Sequence, residues 1–388
     1  MKKILLLLLF IIPALSYSQK SNTQINMGAE RTELYLKLIK DKRVAILSNQ
    51  TGMVRDKHLV DMLIDKGINV VGIFSPEHGF RGTADAGEHV NNSIDEKTGK
   101  PIWSLYGSGQ SNSSAKRMQQ FDILLFDIQD VGLRFYTYYA SMARMMDKCA
   151  EYGKTMIVLD RPNPNGMYVD GPILDMKHKS GVGWLPIPVV HGMTLGELAL
   201  MINGEKWLTN GRTCNLVVIP MENYTHQTRY APPISPSPNL KNIHSIYLYP
   251  STCLFEGTVM SLGRGTPYPF EMYGHPDYKG SSFSFTPRSL PGAKNPPLLN
   301  KKCYGVNLRD VDDEDIINKG FDLTYVIDAY KNLNIGDKFF TSFFEKLVGV
   351  DYIRQDIKSG KTAEQISQKW ANDVEKFKKQ RQPYLLYQ

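Results

Sequence analysis

Residues 68–74 read Ile-Asn-Val-Val-Gly-Ile-Phe, and residues 122–127 read Asp-Ile-Leu-Leu-Phe-Asp. Each is a short, mostly apolar run, the pattern of a β-strand buried on both faces. Working outward, Arg43–Ser48, Thr155–Leu159, Ile187–Val190 and Asn215–Ile219 repeat it. Between these runs the apolar spacing turns helical. Leu34 and Leu38 stand four apart within Glu33–Asp41, and Leu59, Met62 and Leu63 share one face of Lys57–Lys66. Thr137–Tyr152 reads as a helix closed by Gly153, and Thr194–Asn203 as another. Strands alternating with amphipathic helices predict an α/β fold, a Rossmann-like, doubly wound, mostly parallel sheet, over residues 22–225.

The texture changes after Tyr224. Pro232–Pro238 is proline-rich and Gly257–Pro297 is dense in Gly, Pro and Ser, the composition of loops that build binding surfaces. Cys303–Leu308 reads as a strand, and Asp312–Asn332, Asp337–Lys346 and Thr362–Lys378 as helices. A smaller, mixed α+β domain is expected over residues 226–388, completing a cleft with the first.

Length and composition bound the function. The chain has 388 residues, 42% hydrophobic and 22% charged, which excludes disordered, collagenous and multi-span membrane classes. Lys2 and Lys3 precede the apolar run Ile4–Leu15, too short to span a bilayer and broken by Pro13. Residues 1–18 are therefore read as a signal peptide cut after Ser18, and the mature chain is expected to be exported, periplasmic or secreted, without stable membrane insertion. A formal charge of +7 without a long Lys/Arg block gives no nucleic-acid footprint. The cysteines Cys149, Cys214, Cys253 and Cys303 form no C-x-x-C pair, and Cys149, in a helical apolar pattern, is expected to be a buried thiol.

In an open parallel sheet, ligands bind beyond the carboxyl ends of the strands. Five such ends carry polar groups: Asn49, Gln50 and Thr51; Glu77 and His78; Asp127, Gln129 and Asp130, with Arg134 further on; Asp160, Arg161 and Asn163; and His191. No cofactor is expected. The first strand-to-helix turn, S-N-Q-T-G, lacks G-x-G-x-x-G, and the chain has no G-x-x-x-x-G-K-[ST], G-x-S-x-G or H-E-x-x-H.

Glu77 and Glu88 lie eleven residues apart in a stretch with Gly79, Gly82 and Gly87. Two carboxyls facing one cavity can cleave a glycosidic bond: one protonates the leaving oxygen, and the other activates water or attacks directly. Each glutamate is followed by a histidine, so a metal-dependent hydrolase built on these Glu-His pairs is an alternative. A second alternative is a non-enzymatic periplasmic sugar-binding protein whose domains close on a ligand. Adjacent residues of an extended chain point apart, which disfavours the metal reading, and no metal ligand is assigned.

The strings L-S-N-Q-T-G, P-E-H-G-F-R-G, D-A-G-E, F-D-I-Q-D-V-G-L-R-F-Y-T-Y, L-D-R-P-N-P, H-G-M-T-L-G-E-L and C-L-F-E-G-T-V-M-S-L-G-R-G-T-P-Y-P-F-E resemble the NamZ-type exo-β-N-acetylmuramidase family of glycoside hydrolases. The resemblance runs from about residue 25 to the C-terminus. It implies a Rossmann-like N-terminal and a smaller C-terminal domain, and removal of N-acetylmuramic acid from the non-reducing ends of peptidoglycan fragments. It also implies that Glu77 and Glu88 are the catalytic pair. An acidic sugar calls for a cationic fork, and Arg81, Arg134, Arg161 and Arg264 all lie in these motifs. Tyr136 is expected to help form a sugar platform. Asn163 and Asn239 are candidate hydroxyl or acetamido partners, with His78, Asp127, Asp130, Asp160 and His191 completing the expected substrate-binding set.

Overall fold

A computed structural model describes residues 24–76, 79–80, 92–105 and 115–388. Glu77, His78, Arg81 and Glu88 lie outside these described residues, as do the expected signal segment and the Glu-His pairs.

The first half alternates as the apolar runs predict. In chain order come α1 (Thr32–Ile39), β1 (Val44–Ser48), a hairpin of β2 (Met53–Val54) and β3 (Lys57–His58), α2 (Leu59–Asp65), and β4 (Val70–Ser75). Next are β5 (Ser93–Ile94), β6 (Pro101–Ser104), α3 (Ala115–Met118), β7 (Ile123–Asp127), α4 (Tyr138–Glu151), β8 (Thr155–Leu159), α5 (Leu195–Gly204) and β9 (Asn215–Ile219). The described strands form a sheet in the order β5-β6-β4-β1-β7-β8-β9, parallel throughout except for β5 at one edge.

Both faces of this sheet are covered, which is why its strands read as continuous apolar runs. Val44 and Ile46 of β1 pack with Tyr35 and Leu63 on the α1/α2 side. Ala45 and Leu47 pack on the other side with Met142 of α4 and Leu198 of α5. That second core continues without interruption into the C-terminal part of the chain, through Leu254, Phe255, Phe344 and Trp370. Gly72 of β4 lets the strand pass under Trp103: a Cβ there would sit 2.3 Å from the indole.

After β9 come α6 (Ile243–Thr252), β10 (Met272–His275), β11 (Ser284–Phe285), β12 (Cys303–Asn307), α7 (Asp313–Lys319), α8 (Thr324–Leu333), α9 (Phe344–Val348), α10 (Tyr352–Lys358) and α11 (Ala363–Arg381). The strands make a small antiparallel sheet in the order β10-β12-β11, so this half mixes helices and strands as expected.

Three expectations are corrected. Ile187–Val190 is not a sheet strand: Val190 makes only isolated bridges, to Leu133 and Asp170. The single helix expected over Asp312–Asn332 is two, because Gly320 stops α7 at a φ of 68°. Asp337–Lys346 is a 3-10 turn followed by α9, not one helix.

Candidate active site

The carboxyl ends of β1, β7 and β8 converge. Asp127, the last residue of β7, is fully buried, and Arg161, just past β8, is 8% exposed. Arg161 Nε donates to Asp127 Oδ1 at 2.5 Å and Nη2 to Oδ2 at 3.0 Å, a bidentate pair. Nη2 also donates to the Met53 carbonyl at 2.8 Å. Burial works to lower the Arg161 pKa, but the Asp127 charge and hydrogen bonds override it and hold it above its ordinary value. Arg161, Thr51, Gln129, Glu30 and Tyr230 line a cavity of about 150 Å³ at this edge.

Around the pair, short polar side chains knit the loops together. Thr51 Oγ1 donates to Asn49 Oδ1 at 2.6 Å and accepts from the Gln129 N–H at 2.9 Å. Gln129 Nε2 donates to the carbonyls of Asp130 and Pro162. Among the described residues several buried atoms here have no hydrogen-bond partner: Asn49 Nδ2, Gln129 Oε1, Asp130 Oδ2, Asn165 Oδ1 and His191 Nε2. Buried polar atoms are nearly always satisfied by protein or water. Asn49 and Gln129 were legible only as polar strand-end residues; their unspent atoms required the packing to be seen.

Asp130 is the most perturbed carboxyl of this group. Its Oδ1 accepts the Gly132 N–H at 2.7 Å. Burial raises its pKa from 3.8 to about 7, against the lowering pull of the backbone N–H groups of Gly132, Val131 and Tyr139. Gly132 is required by its φ of 78° and by Asn163, whose Oδ1 would lie 2.1 Å from an added Cβ.

Other predicted residues are engaged within the scaffold in this structure. Arg134 is fully buried; Nη1 donates to the carbonyls of Pro172 and Ile187, and Nη2 to those of Leu347 and Val348. It clamps the first half of the chain to α9 and has no bidentate edge left for a sugar carboxylate. Burial lowers its pKa to about 10. Asp160 has both oxygens filled: Oδ1 accepts from the Arg161 and Gly196 N–H groups, and Oδ2 from Thr194 Oγ1 and Tyr387 Oη. Burial first, and the Glu197 charge as well, raise its pKa to about 6. Asn163 holds the Asn165 N–H and the Met193 carbonyl.

His191 is fully buried, with Nδ1 accepting the Met193 N–H; burial first and then the Arg381 charge lower its pKa to about 3, so the ring is neutral. Tyr136 donates its buried hydroxyl to the Pro236 carbonyl at 2.7 Å. Its ring meets Tyr138 and Tyr249 edge-on, and Tyr249 meets Phe270, over which Arg264 lies at 5.1 Å. Arg264 is paired with Glu256 at 2.6 Å. Asn239 Nδ2 donates to the Gly292 carbonyl. An aromatic chain thus joins the loop after β7 to the Gly-rich Gly257–Glu271 stretch.

Sequence reasoning missed the buried Glu197. Its Oε1 accepts from His226 Nε2 at 3.0 Å and from the N–H groups of Leu386 and Tyr387, and Oε2 from the Thr194 N–H. The signal was present as Thr194 followed three residues later by Glu197, a capping box. Among the described residues, no three His, Cys, Asp or Glu side chains gather to hold a metal ion.

Comparison with known proteins places this architecture. Residues 44–244 match the family model described as exo-beta-N-acetylmuramidase NamZ, N-terminal, and residues 247–387 match its C-terminal counterpart. A peptidoglycan beta-N-acetylmuramidase NamZ of Bacillus subtilis (strain 168) is 39% identical over 375 residues, covering 91% of this chain and 89% of that protein. Crystal structures of two DUF1343 family proteins from Bacteroides fragilis NCTC 9343 are similar. One is 62% identical with a TM-score of 0.89, the other 28% identical with a TM-score of 0.81; each comparison covers 94% of this chain and 99% of the other. With both family models matched and the relative aligned over most of its length, the chain belongs to the NamZ exo-β-N-acetylmuramidase family.

Proposed function

We propose that this chain is an exo-acting glycoside hydrolase that releases N-acetylmuramic acid from the non-reducing end of peptidoglycan fragments. The observation that carries the reading is the 39% identity with a peptidoglycan β-N-acetylmuramidase over 91% of the chain. The polar, partly unsatisfied carboxyl edge of the sheet supports it, since that is where an α/β fold gathers a ligand.

In this proposal Glu77 and Glu88 form the carboxylate pair. One protonates the glycosidic oxygen as the bond from C1 to that oxygen breaks. The other either takes a proton from the water that bonds to C1 or bonds to C1 itself, the resulting ester then being hydrolysed by water. A 2-acetamido sugar offers a third route, in which its own carbonyl oxygen attacks C1 and a carboxylate polarises the amide. Arg81, Arg161 and Arg264 are the candidates for the lactyl carboxylate, and Arg161 borders a cavity of about 150 Å³. The chain acts after export, its signal segment removed.

The test is a disaccharide carrying β-linked N-acetylmuramic acid at its non-reducing end, followed by NMR. Free N-acetylmuramic acid is expected, and the first-formed anomer separates inversion from the two retaining routes. Binding without release of any free sugar would leave only the sugar-binding alternative.

A further inference from the structure

A second, apolar-walled cavity among the described residues has Leu105, just past the carboxyl end of β6, in its wall. It has a volume of about 560 Å³ and runs along the outer flank of α4. Its walls include Arg144 and Met145 of α4, Lys179 and Trp184 from the loop before α5, and Trp207 and Thr209 after α5. None of the described candidate residues borders it. The volume falls within the roughly 300–1,000 Å³ typical of small-ligand sites, which are mostly apolar with a few placed polar groups.

The polar groups here are mainly cations. Lys179 Nζ stands 4.0 Å and Arg144 Cζ 4.5 Å from the centroid of the Trp184 ring, so two positive charges lie against this indole. Lys179 is exposed and makes no ion pair among the described residues. Asp147, the one acidic residue among the described lining residues, is engaged: it accepts the Thr209 N–H at 2.8 Å and the Thr209 hydroxyl at 3.0 Å. Trp207 is half-buried and makes no ring contact among the described residues, which leaves it as an aromatic wall. A fitting ligand has rings with an apolar face, polar edges and a negative charge. A pyranose offers its C–H face to an aromatic ring, and a muramic residue adds the carboxylate.

We propose that this cavity is a second saccharide site, for acidic, N-acetylmuramic-acid-containing glycan, holding the polymer while the carboxyl-edge site works on a chain end. The proposal rests on the muramidase reading for the choice of glycan. The charge pattern supplies the selection: carboxylated saccharide is drawn to the exposed Lys179, and a neutral chitin-type saccharide is not.

The probe is a disaccharide with N-acetylglucosamine at its non-reducing end and N-acetylmuramic acid at its reducing end, which offers no muramic end to exo cleavage. Intrinsic fluorescence of the full chain reads its binding, because Trp103 and Trp370 are only 1% and 3% exposed whereas Trp184 and Trp207 line the cavity. A saturable change is expected, at least tenfold tighter than for N,N′-diacetylchitobiose. Trp207→Ala should weaken it at least tenfold, and Lys179→Glu should abolish the preference for the acidic sugar. Both variants should hydrolyse a chromogenic muramic glycoside at the wild-type rate. If Trp207→Ala does not fold, the exposed Lys179→Glu carries the test alone. No saturable change, equal affinity for both sugars, or unchanged binding in Lys179→Glu would overturn the second site. Failure of the wild type to hydrolyse the muramic glycoside would instead overturn the muramidase reading.

Discussion

Asp127, which ends β7, and Arg161, two residues past the end of the neighbouring β8, form a bidentate ion pair that is almost wholly sealed from solvent. The pair ties together the two strand ends around which the polar loops converge. A buried pair is weak evidence for stability by itself, but removing one member strands the other charge. Asp127→Ala should therefore cost about 3–5 kcal/mol of unfolding free energy. A double replacement, Asp127→Leu with Arg161→Met, should cost clearly less than the sum of the two single changes. Urea unfolding of all four proteins measures this, and strict additivity would show that the two charges do not depend on each other.

Asp130 makes a prediction with a definite sign. Burial raises its pKa to about 7, so the folded chain keeps a proton that the unfolded chain loses near pH 4. The associated stability is full below the unfolded value of 3.8 and is lost as pH rises through about 7. Asp160, raised to about 6, adds to the same trend. His191 acts oppositely: its pKa is lowered from 6.5 to about 3, and its contribution is lost as pH falls through that window. Asp130→Asn keeps an acceptor for the Gly132 N–H and removes the titration. It should stabilise the chain at pH 8 by roughly 1–3 kcal/mol relative to wild type, the gain fading toward pH 4. Denaturation curves of the two proteins that stay parallel from pH 4 to pH 8 would reject the assignment.

The legibility of this fold follows from which signals are local. Strands β1, β4, β7 and β8 were readable because burial on both faces leaves no polar alternation to confuse them, and the half-buried edge strand β9 because its run of Leu, Val, Val and Ile is unbroken. Ile187–Val190 carries the same apolar signature but packs under a loop through isolated bridges, and composition cannot tell a sheet partner from a core-filling turn. Helix α6 was not foreseen because Pro250 sits inside it, although Asn242 and Ser245 form a capping box at its start. At the site, motif position pointed to Arg134 and Arg161 equally. Only packing separates an arginine spent on four carbonyls from one that borders a cavity.

The C-terminal residues are predicted to be part of the structural unit. Tyr387 Oη donates to Asp160 Oδ2 at 2.7 Å, and the Leu386 and Tyr387 N–H groups reach Glu197. Tyr387→Phe removes two hydrogen bonds, the one to the buried Asp160 carboxyl and the one accepted from the Met221 N–H, and should cost about 1–3 kcal/mol. Deleting residues 385–388 should cost more, since Glu197 then loses two donors as well. A tail deletion with an unchanged melting temperature would show that these bonds do not matter to the fold.

For the proposed carboxylate pair, Glu77→Gln and Glu88→Gln should each lower turnover of a muramic glycoside by at least roughly a hundredfold, the scale of acid–base roles. Circular dichroism and melting should match wild type, because an amide keeps the shape of the acid. A folded variant with near wild-type turnover would remove that residue from the pair.

Substrate selection is the sharpest test of the arginines. A muramic residue differs from N-acetylglucosamine by a lactyl ether that carries a carboxylate, so the group that reads it should matter for one sugar only. Arg134 is spent on the carbonyls of Pro172, Ile187, Leu347 and Val348, and its replacement should reduce stability before it alters selection. Arg161 lies at the edge of a cavity and stays charged through Asp127. If Arg161 pairs with the lactyl group, losing it should cost about 1.5–3 kcal/mol of transition-state binding, the range for a charged hydrogen bond. That is roughly a tenfold to hundredfold fall in kcat/KM for the acidic sugar. Arg161 Nε and Nη2 are held by Asp127 and Met53, so Nη1 is the edge it has for the lactyl group; Arg161→Ala also leaves Asp127 unpaired, and Arg161→Lys, which keeps the charge, is the cleaner variant. Arg81→Ala and Arg264→Ala complete the set, with chromogenic muramic and glucosaminide substrates compared for each. If every folded variant keeps the wild-type preference for the acidic sugar, arginine does not read the lactyl carboxylate, and selection lies in pocket shape or backbone donors.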